Sequence, residues 1–497
     1  MNYTALFLQL LPEAVLVIAA LVLMGVAVAT QSRKKRPPTV DVVIAITALG
    51  IAAAGFALYR CPGDINCGST LIVMDPLARL FKCVVLMLGM LAALLAPARG
   101  EIRHPGEFYA LLLFALVGLM LTVGTTHLLF LFVALELASL SLYLMAGFSG
   151  TPRAAEASLK YFLFGGVSAA FLLFGLSLVY GFRHSLELPV IAVALTNGPL
   201  PPFAVAGLVM VVVGLGFKLA AAPFHYWAPD VYQGAPATSV GLVAAASKAV
   251  GVLVMVRLLV VGFDAAGGSA LWGAFKPGWT LWLGVLAAVS MIWGNLLALA
   301  QTSVRRLLAY SAVANTGYLL VALSANGPKA AGTALFYVVV YGLSTFGALA
   351  VTAGVERDRG DDSVGSFAGL VHRSPLQALA LLVFLTSLAG IPPLAGFVGK
   401  FAMFSEAMAA SATPESAGLV WLVGLGAVMS AVSFYYYLKV MKQAFVREPA
   451  DPSPVDLHWA HRMAMLVPAV LVVLLGLFPS LLLAPVSRAL EETLRGW

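Results

Sequence analysis

The chain is short of charge. Asp, Glu, Lys and Arg make up 10% of its 497 residues, against 61% hydrophobic, where a soluble domain carries about 25% charged residues. A water-exposed globular fold is excluded, and the sequence is that of a polytopic membrane protein. Cysteine is scarce as well, with three in all, too few for a four-thiolate iron-sulfur cluster. Cys61 and Cys67 fall in one loop, which leaves a disulfide open, and Cys83 falls in an apolar run. No glycine-rich phosphate loop follows a strand-like segment, and there is no Walker motif. Nucleotide and redox chemistry are therefore not expected in this chain, and the energy for any transport has to come from outside it.

What is present is apolar length. Fourteen runs reach the roughly 20 residues needed to cross a bilayer, from Ala5–Thr30 to Met463–Val486, and they are numbered here as helices 1 to 14. Of the 29 Lys and Arg, sixteen fall in the odd-numbered loops, among them Arg33, Lys34, Lys35 and Arg36. Nine fall near the opposite side, among them Arg79, Lys82 and Arg257. That bias predicts both termini outside and makes the net charge of +7 topogenic, with no nucleic-acid partner implied. The basic tetrad at 33–36 suits a stop-transfer anchor or contact with anionic lipid.

The remaining four lysines, Lys160, Lys218, Lys248 and Lys400, lie inside apolar runs, and Glu136 lies near the middle of helix 5. A charge at mid-bilayer costs on the order of 2.5 to 3.5 kcal/mol, so such residues are functional candidates by default. Lys160 stands near a helix end, where a long stem can also snorkel to the interface. Lys218 and Glu136 are expected to pair, either as a relay or as a plain structural neutralisation. Whether an amine at that depth keeps its proton depends on the balance between desolvation and a nearby carboxylate. His225 alone would be a weak signal.

Proline sharpens the picture. In "GFKLAAAPFHYWAPD" (216–230) Pro223 follows Lys218, and in "SLAGIPPLAGFVGK" (387–400) Pro392 and Pro393 precede Lys400, so helices 7 and 12 should both break at membrane depth. "KLAAAP" aligns with "SLAGIP" at an offset of 169, and "SLKYFLFGGVS" (158–168) with "ALFYVVVYGLS" (334–344) at 176. Helices 4–8 and 9–13 are thus two five-helix copies, and an odd number of crossings inverts the second, the architecture of translocating proteins with a midplane site. The expected fold is all-α, with helices 1–3 in residues 1–104, the two inverted repeats in 105–262 and 263–446, and helix 14 in 447–497.

The runs "ALELASLSLY", "SKAVG", "RRLLAYSAVANTGYLL" and the two proline segments above resemble the subunit N family of respiratory complex I, the proton-pumping NADH:quinone oxidoreductase, over nearly the whole chain. The resemblance implies an antiporter-like proton-translocating subunit. It assigns Glu136, Lys160, Lys218, His225, Lys248 and Lys400 to a proton relay running along the membrane plane, with Lys400 the last store before release. NADH, FMN, iron-sulfur clusters and quinone are then expected in partner subunits, with subunit M and small membrane subunits as neighbours, in a bacterial plasma membrane. Subunit M carries glutamate where this chain has Lys400. Subunits L and M carry a paired histidine motif where this chain has Tyr337, Tyr341 and Thr345, so relay through the second repeat would lean on hydroxyls and water. A subunit of a multisubunit sodium/proton antiporter is the alternative, since it would use much the same lysines. A membrane scaffold would tolerate their loss.

Overall fold

The computed structural model describes residues 3–32, 40–61, 71–95, 102–195, 200–410, 418–449, 451, 453–455 and 457–495. Cys67 and the tetrad at 33–36 lie outside these. Among the described residues thirteen helices are long and apolar enough to cross a bilayer. One further crossing, helix 12, is made of two pieces, Pro375–Ala389 and Ala395–Ala409.

The inverted repeat is visible in register. Helix 6 (Pro152–Arg183) and helix 11 (Pro328–Arg359) both run 32 residues, begin on proline and start 176 positions apart. Helix 5 (Leu128–Ala146) and helix 10 (Val304–Ser324) start at the same offset. Each has a side-chain cap at its first turn, where His127 accepts from the Phe130 N–H and Ser303 from the Arg306 N–H. Backbone pairs close both copies alike: Leu128 N–H donates to the Leu186 carbonyl and Val304 N–H to that of Asp362, each at 2.8 Å. Gly118 on helix 4 (Pro105–Val123) lies against the backbone of Ala134 and Ala138, and Gly294 on helix 9 (Trp279–Leu299) against that of Tyr310 and Ala314. All of these obey the offset of 176, and a Cβ at either glycine would overlap the facing helix. The offset falls to 169 beyond helix 6 because the first copy is longer both in the linker before helix 7 and in the first half of that helix, Pro202–Leu219 (18 residues) against Pro375–Ala389 (15 residues).

Helix 8 is continuous from Ala237 to Gly262 but widens into π-helical turns at Val243–Ser247 and Val256–Gly262, on either side of Lys248–Met255. Such turns re-aim the residues that follow them and recur at functional sites. Helices 8 and 11 are buried throughout their apolar windows and form the axis between the copies.

One element differs from the sequence reading. The run expected as a single helix 14 stops at Leu477, and a second helix occupies Ser480–Arg495. Pro479 separates them, since it has no N–H to donate and crowds the preceding turn. The last helix alternates apolar residues such as Val486 and Leu490, which are buried, with Arg488, Glu491 and Glu492, and it packs on helix 3 (Pro76–Leu94) and helix 11.

Candidate functional site

Both broken helices leave a carbonyl without its partner. In an α-helix the N–H of residue i+4 bonds the carbonyl of residue i, and proline at that place has none to give. Pro223 so orphans the Leu219 carbonyl, and Pro392 that of Leu388. Helix 7 stops at Leu219, turns through Ala220 in the left-handed region (φ +55°) and resumes over Ala228–Gly234. Helix 12 stops at Ala389, turns through Gly390 (φ +83°) and resumes at Ala395. The two carbonyls find different donors. The Thr316 hydroxyl, from helix 10, donates to the Leu219 carbonyl at 2.7 Å, whereas the Lys400 amine itself donates to that of Leu388 at 2.7 Å.

Lys400 is buried at its break, and Lys218 is half-buried at the first. Lys218, in the last turn before the first break, donates to the Ser139 hydroxyl on helix 5 and has the Tyr143 ring 5.9 Å away. The direct Glu136–Lys218 pair expected from sequence is not formed. Ser139 stands one helical turn from half-buried Glu136 and takes the amine in its place. Lys248 is 3% exposed, donates to the Ala312 carbonyl (2.9 Å) and to Thr316 Oγ1 (3.0 Å), and lies 4.8 Å from the Tyr341 ring centroid. Lys400 also contacts Ser430 (3.5 Å) and sits 4.7 Å from the Tyr318 ring centroid. Among the described residues no carboxylate forms an ion pair with Lys248 or Lys400. Burying an ammonium without one costs several kcal/mol, so charge pairing gives no reason to hold a proton on either.

Polar side chains on helices 9, 10, 11 and 13 (Val420–Val446) run between these two lysines, hydrogen-bonded in two stretches with ring contacts between them. Beyond Tyr341, whose ring neighbours Tyr337 at 6.5 Å, the Tyr337 hydroxyl donates to Asn315 Oδ1 (2.6 Å). Asn315 Nδ2 donates to Ser311 Oγ (3.2 Å), which shares a 2.5 Å hydrogen bond with the Tyr437 hydroxyl. The neighbouring Tyr436 hydroxyl donates to Asn295 Oδ1 (3.1 Å) and Asn295 Nδ2 to the Tyr318 hydroxyl (3.3 Å), below Lys400. Among the described residues the buried hydroxyls of Tyr341 and Thr345 meet no partner in full hydrogen-bond geometry. Sequence reading found Tyr337, Tyr341 and Thr345 but missed Ser139, Asn295, Ser311, Asn315, Thr316, Tyr318, Tyr436 and Tyr437. Neutral polar residues inside apolar helices carry no charge to draw the eye, though "AYSAVANTGY" holds five of them on one helix.

Two sequence candidates lie apart. Lys160 joins a partly exposed ion network, donating to Glu156 (2.6 Å) and Asp230 (2.7 Å), with Arg306 also on Asp230 (2.7 Å). The network ties helices 6 and 10 to the second half of helix 7. His225 is buried in the helix 7 break with its Nδ1 unpartnered, and among the described residues it hydrogen-bonds none of the lysines. Lys82, grouped from sequence with the charges outside or near that side, is 1% exposed and pairs with Glu13 on helix 1 at 2.6 Å. Arg257 likewise pairs with Asp75 at 2.7 Å. Cys61 is buried with its thiol on the Leu8 carbonyl.

Residues 125–430 match a family model described as NADH:quinone oxidoreductase/Mrp antiporter, TM. The chain is 43% identical over 97% of its length to NADH-quinone oxidoreductase subunit N 2 of Acidobacterium capsulatum, covering 98% of that protein. Among solved structures it is similar to a chain of respiratory complex I from Thermus thermophilus, with 34% identity, a TM-score of 0.77, and 95% of this chain and 98% of that one covered. A chain of the Mrp complex from Dietzia superposes with a TM-score of 0.83 over 100% of this chain and 99% of that one, at 20% identity, a likeness of fold.

Proposed function

Since the chain belongs to the NADH:quinone oxidoreductase/Mrp antiporter membrane family, and within it to the subunit N relatives, we propose that it works as a proton-translocating subunit of respiratory NADH:quinone oxidoreductase. The observation that carries the reading is the pair of buried lysines, Lys248 and Lys400, that among the described residues have no counter-carboxylate and have polar side chains, Asn315, Ser311 and Tyr318 among them, between them. An amine so placed is poised to exchange its proton with hydroxyls and water. Lys218 beside Ser139 and Glu136 forms the first station, Lys248 the middle and Lys400 the last, while Lys160 and His225 flank the route. Moving one charge against the membrane potential costs about 2.3 kcal/mol per 100 mV, which the redox reaction of partner subunits has to supply. NADH, flavin, iron-sulfur and quinone chemistry belong to those partners, other antiporter-like and small membrane subunits among them. Both termini face outward. A cavity of about 350 Å³ lined by Gln233, Thr238, Arg305 and Glu356 opens where the two repeats meet and is roomy enough to admit water to that junction.

The test is Lys400→Ala in the assembled membrane complex, with proton uptake per NADH oxidised measured in vesicles and assembly followed by immunoblot. The expected result is normal assembly with a lowered proton ratio, and Lys400→Arg should also lower it because arginine keeps its proton. A wild-type ratio from an assembled Lys400→Ala complex removes Lys400 from the route. Sodium-dependent proton flux without NADH would favour the antiporter reading.

A further inference from the structure

Thr316 lies in the segment "RRLLAYSAVANTGYLL", and its hydroxyl is the meeting point of three elements. It is 2.7 Å from the Leu219 carbonyl orphaned by Pro223, 2.9 Å from the Ala312 carbonyl one turn back on its own helix, and 3.0 Å from Lys248 Nζ. A threonine hydroxyl has one proton to donate and two lone pairs to accept with. It can give that proton to Leu219 or to Ala312, but not fully to both. Lys248, which also donates to the Ala312 carbonyl at 2.9 Å, competes for the same acceptor.

We propose that Thr316 is a positioning residue for the relay, tying Lys248 to the open carbonyl of the helix 7 break so that the state of that break sets how Lys248 is held. With the hydroxyl proton on Leu219, the Ala312 carbonyl is left to Lys248, and the amine is held by two acceptors. If the break shifts and Leu219 withdraws, the hydroxyl falls back on Ala312, the usual acceptor for a threonine within a helix, and Lys248 loses part of its hold there. Two further observations agree. The break passes through Ala220 with φ +55°, a conformation alanine adopts only at a cost, so the segment gains from an outside tether. In addition, the π-helical turn before Lys248 aims the amine across to helix 10. Leu219, the chain neighbour of Lys218, is thereby linked to Lys248 through its carbonyl and one hydroxyl, while the Lys218 amine itself is on Ser139. The equivalent carbonyl in the second repeat, that of Leu388, meets its lysine directly, so the intervening hydroxyl belongs to the first break alone.

This inference rests on the relay reading, and the experiment separates the two. Thr316→Val, which keeps the shape and removes the hydroxyl, Thr316→Ser, which keeps the hydroxyl, and Lys248→Ala are each placed in the full complex. Assembly, NADH oxidation with the membrane uncoupled, and proton uptake per NADH across pH 6 to 9 are then measured. Loss of one hydrogen bond corresponds to a factor of roughly 2 to 10. Thr316→Val is expected to lower coupled proton uptake by about that factor and to shift the pH at which it falls, with Thr316→Ser restoring both. A lowered yield of complex with an unchanged pH profile would mark Thr316 as structural only and overturn the proposal. So would wild-type uptake in Thr316→Val beside a defective Lys248→Ala. Wild-type uptake in Lys248→Ala would overturn the relay reading itself.

Discussion

Helices 7 and 12 are broken by the same device and finished differently. Each loses a carbonyl's partner to a proline and each turns through a left-handed residue. The first break caps its carbonyl with a neutral hydroxyl from a neighbouring helix and leaves Lys218 to reach Ser139. The second caps it with Lys400 itself. The lysine of the second break is therefore part of the backbone's hydrogen bonding, while the lysine of the first is not. Symmetry in the fold has supplied two similar gaps, and the side chains that fill them decide whether a gap is a passage point or an end point.

The sharpest way to break this comparison is to remove each lysine in turn. Lys218→Ala leaves the Leu219 carbonyl capped, so it should cut proton uptake while the subunit stays as firmly in the complex as before. Lys400→Ala leaves the Leu388 carbonyl buried and unpaired, at a cost of about 1 to 3 kcal/mol, and should lower both proton uptake and the temperature at which this subunit is lost from the detergent-solubilised complex. Equal thermal behaviour of the two variants would mean that the capping difference carries no energy.

A smaller effect tests the repeat itself. Gly118 and Gly294 each lie against a facing helix backbone at the same point of their copy, so Gly118→Ala and Gly294→Ala should each weaken retention of the subunit. The overpacking cost is about 1 to 3 kcal/mol. Matching losses are expected, and a loss at one glycine with none at the other would show that the two crossings are packed for different ends.

Most of the frame was readable in the sequence because its causes are local. Apolar length sets the crossings, Pro223 and Pro392 set the breaks, and five crossings per copy set the inversion. The candidates Lys218, Lys248 and Lys400 stood out in the sequence because charge in an apolar run is costly. Their partners were not. Whether Lys218 meets Glu136 or Ser139 depends on where one turn of helix 5 points, and the path through Asn295, Asn315 and Tyr437 is assembled from four helices far apart in the chain. The pairing of Lys82 was not legible either, because its acid, Glu13, sits 69 positions away on helix 1, and only the fold brings the two together. The end of helix 14 was misread because the run stays apolar through Pro479.

The smallest effect concerns the left-handed residue at each break. Gly390 has φ +83°, and a Cβ there would meet Lys400 Cδ at 3.1 Å, so Gly390→Ala adds backbone strain of roughly 1 kcal/mol and presses on the lysine. It should modestly lower both subunit retention and proton uptake. Ala220→Gly runs the other way. It removes a similar strain at φ +55° but frees the unfolded chain, an opposing term of about 0.4 to 1 kcal/mol. Its net effect on retention should therefore stay within about 0.5 kcal/mol. If the tether from Thr316 holds the break in place, Ala220→Gly alone should leave proton uptake near wild type, whereas combined with Thr316→Val it should deepen that variant's defect, since a glycine break with no tether has the least to hold its shape. Additive effects in the double variant would mean that the backbone turn and the hydroxyl act independently, and the first break would then owe its geometry to helix 7 alone.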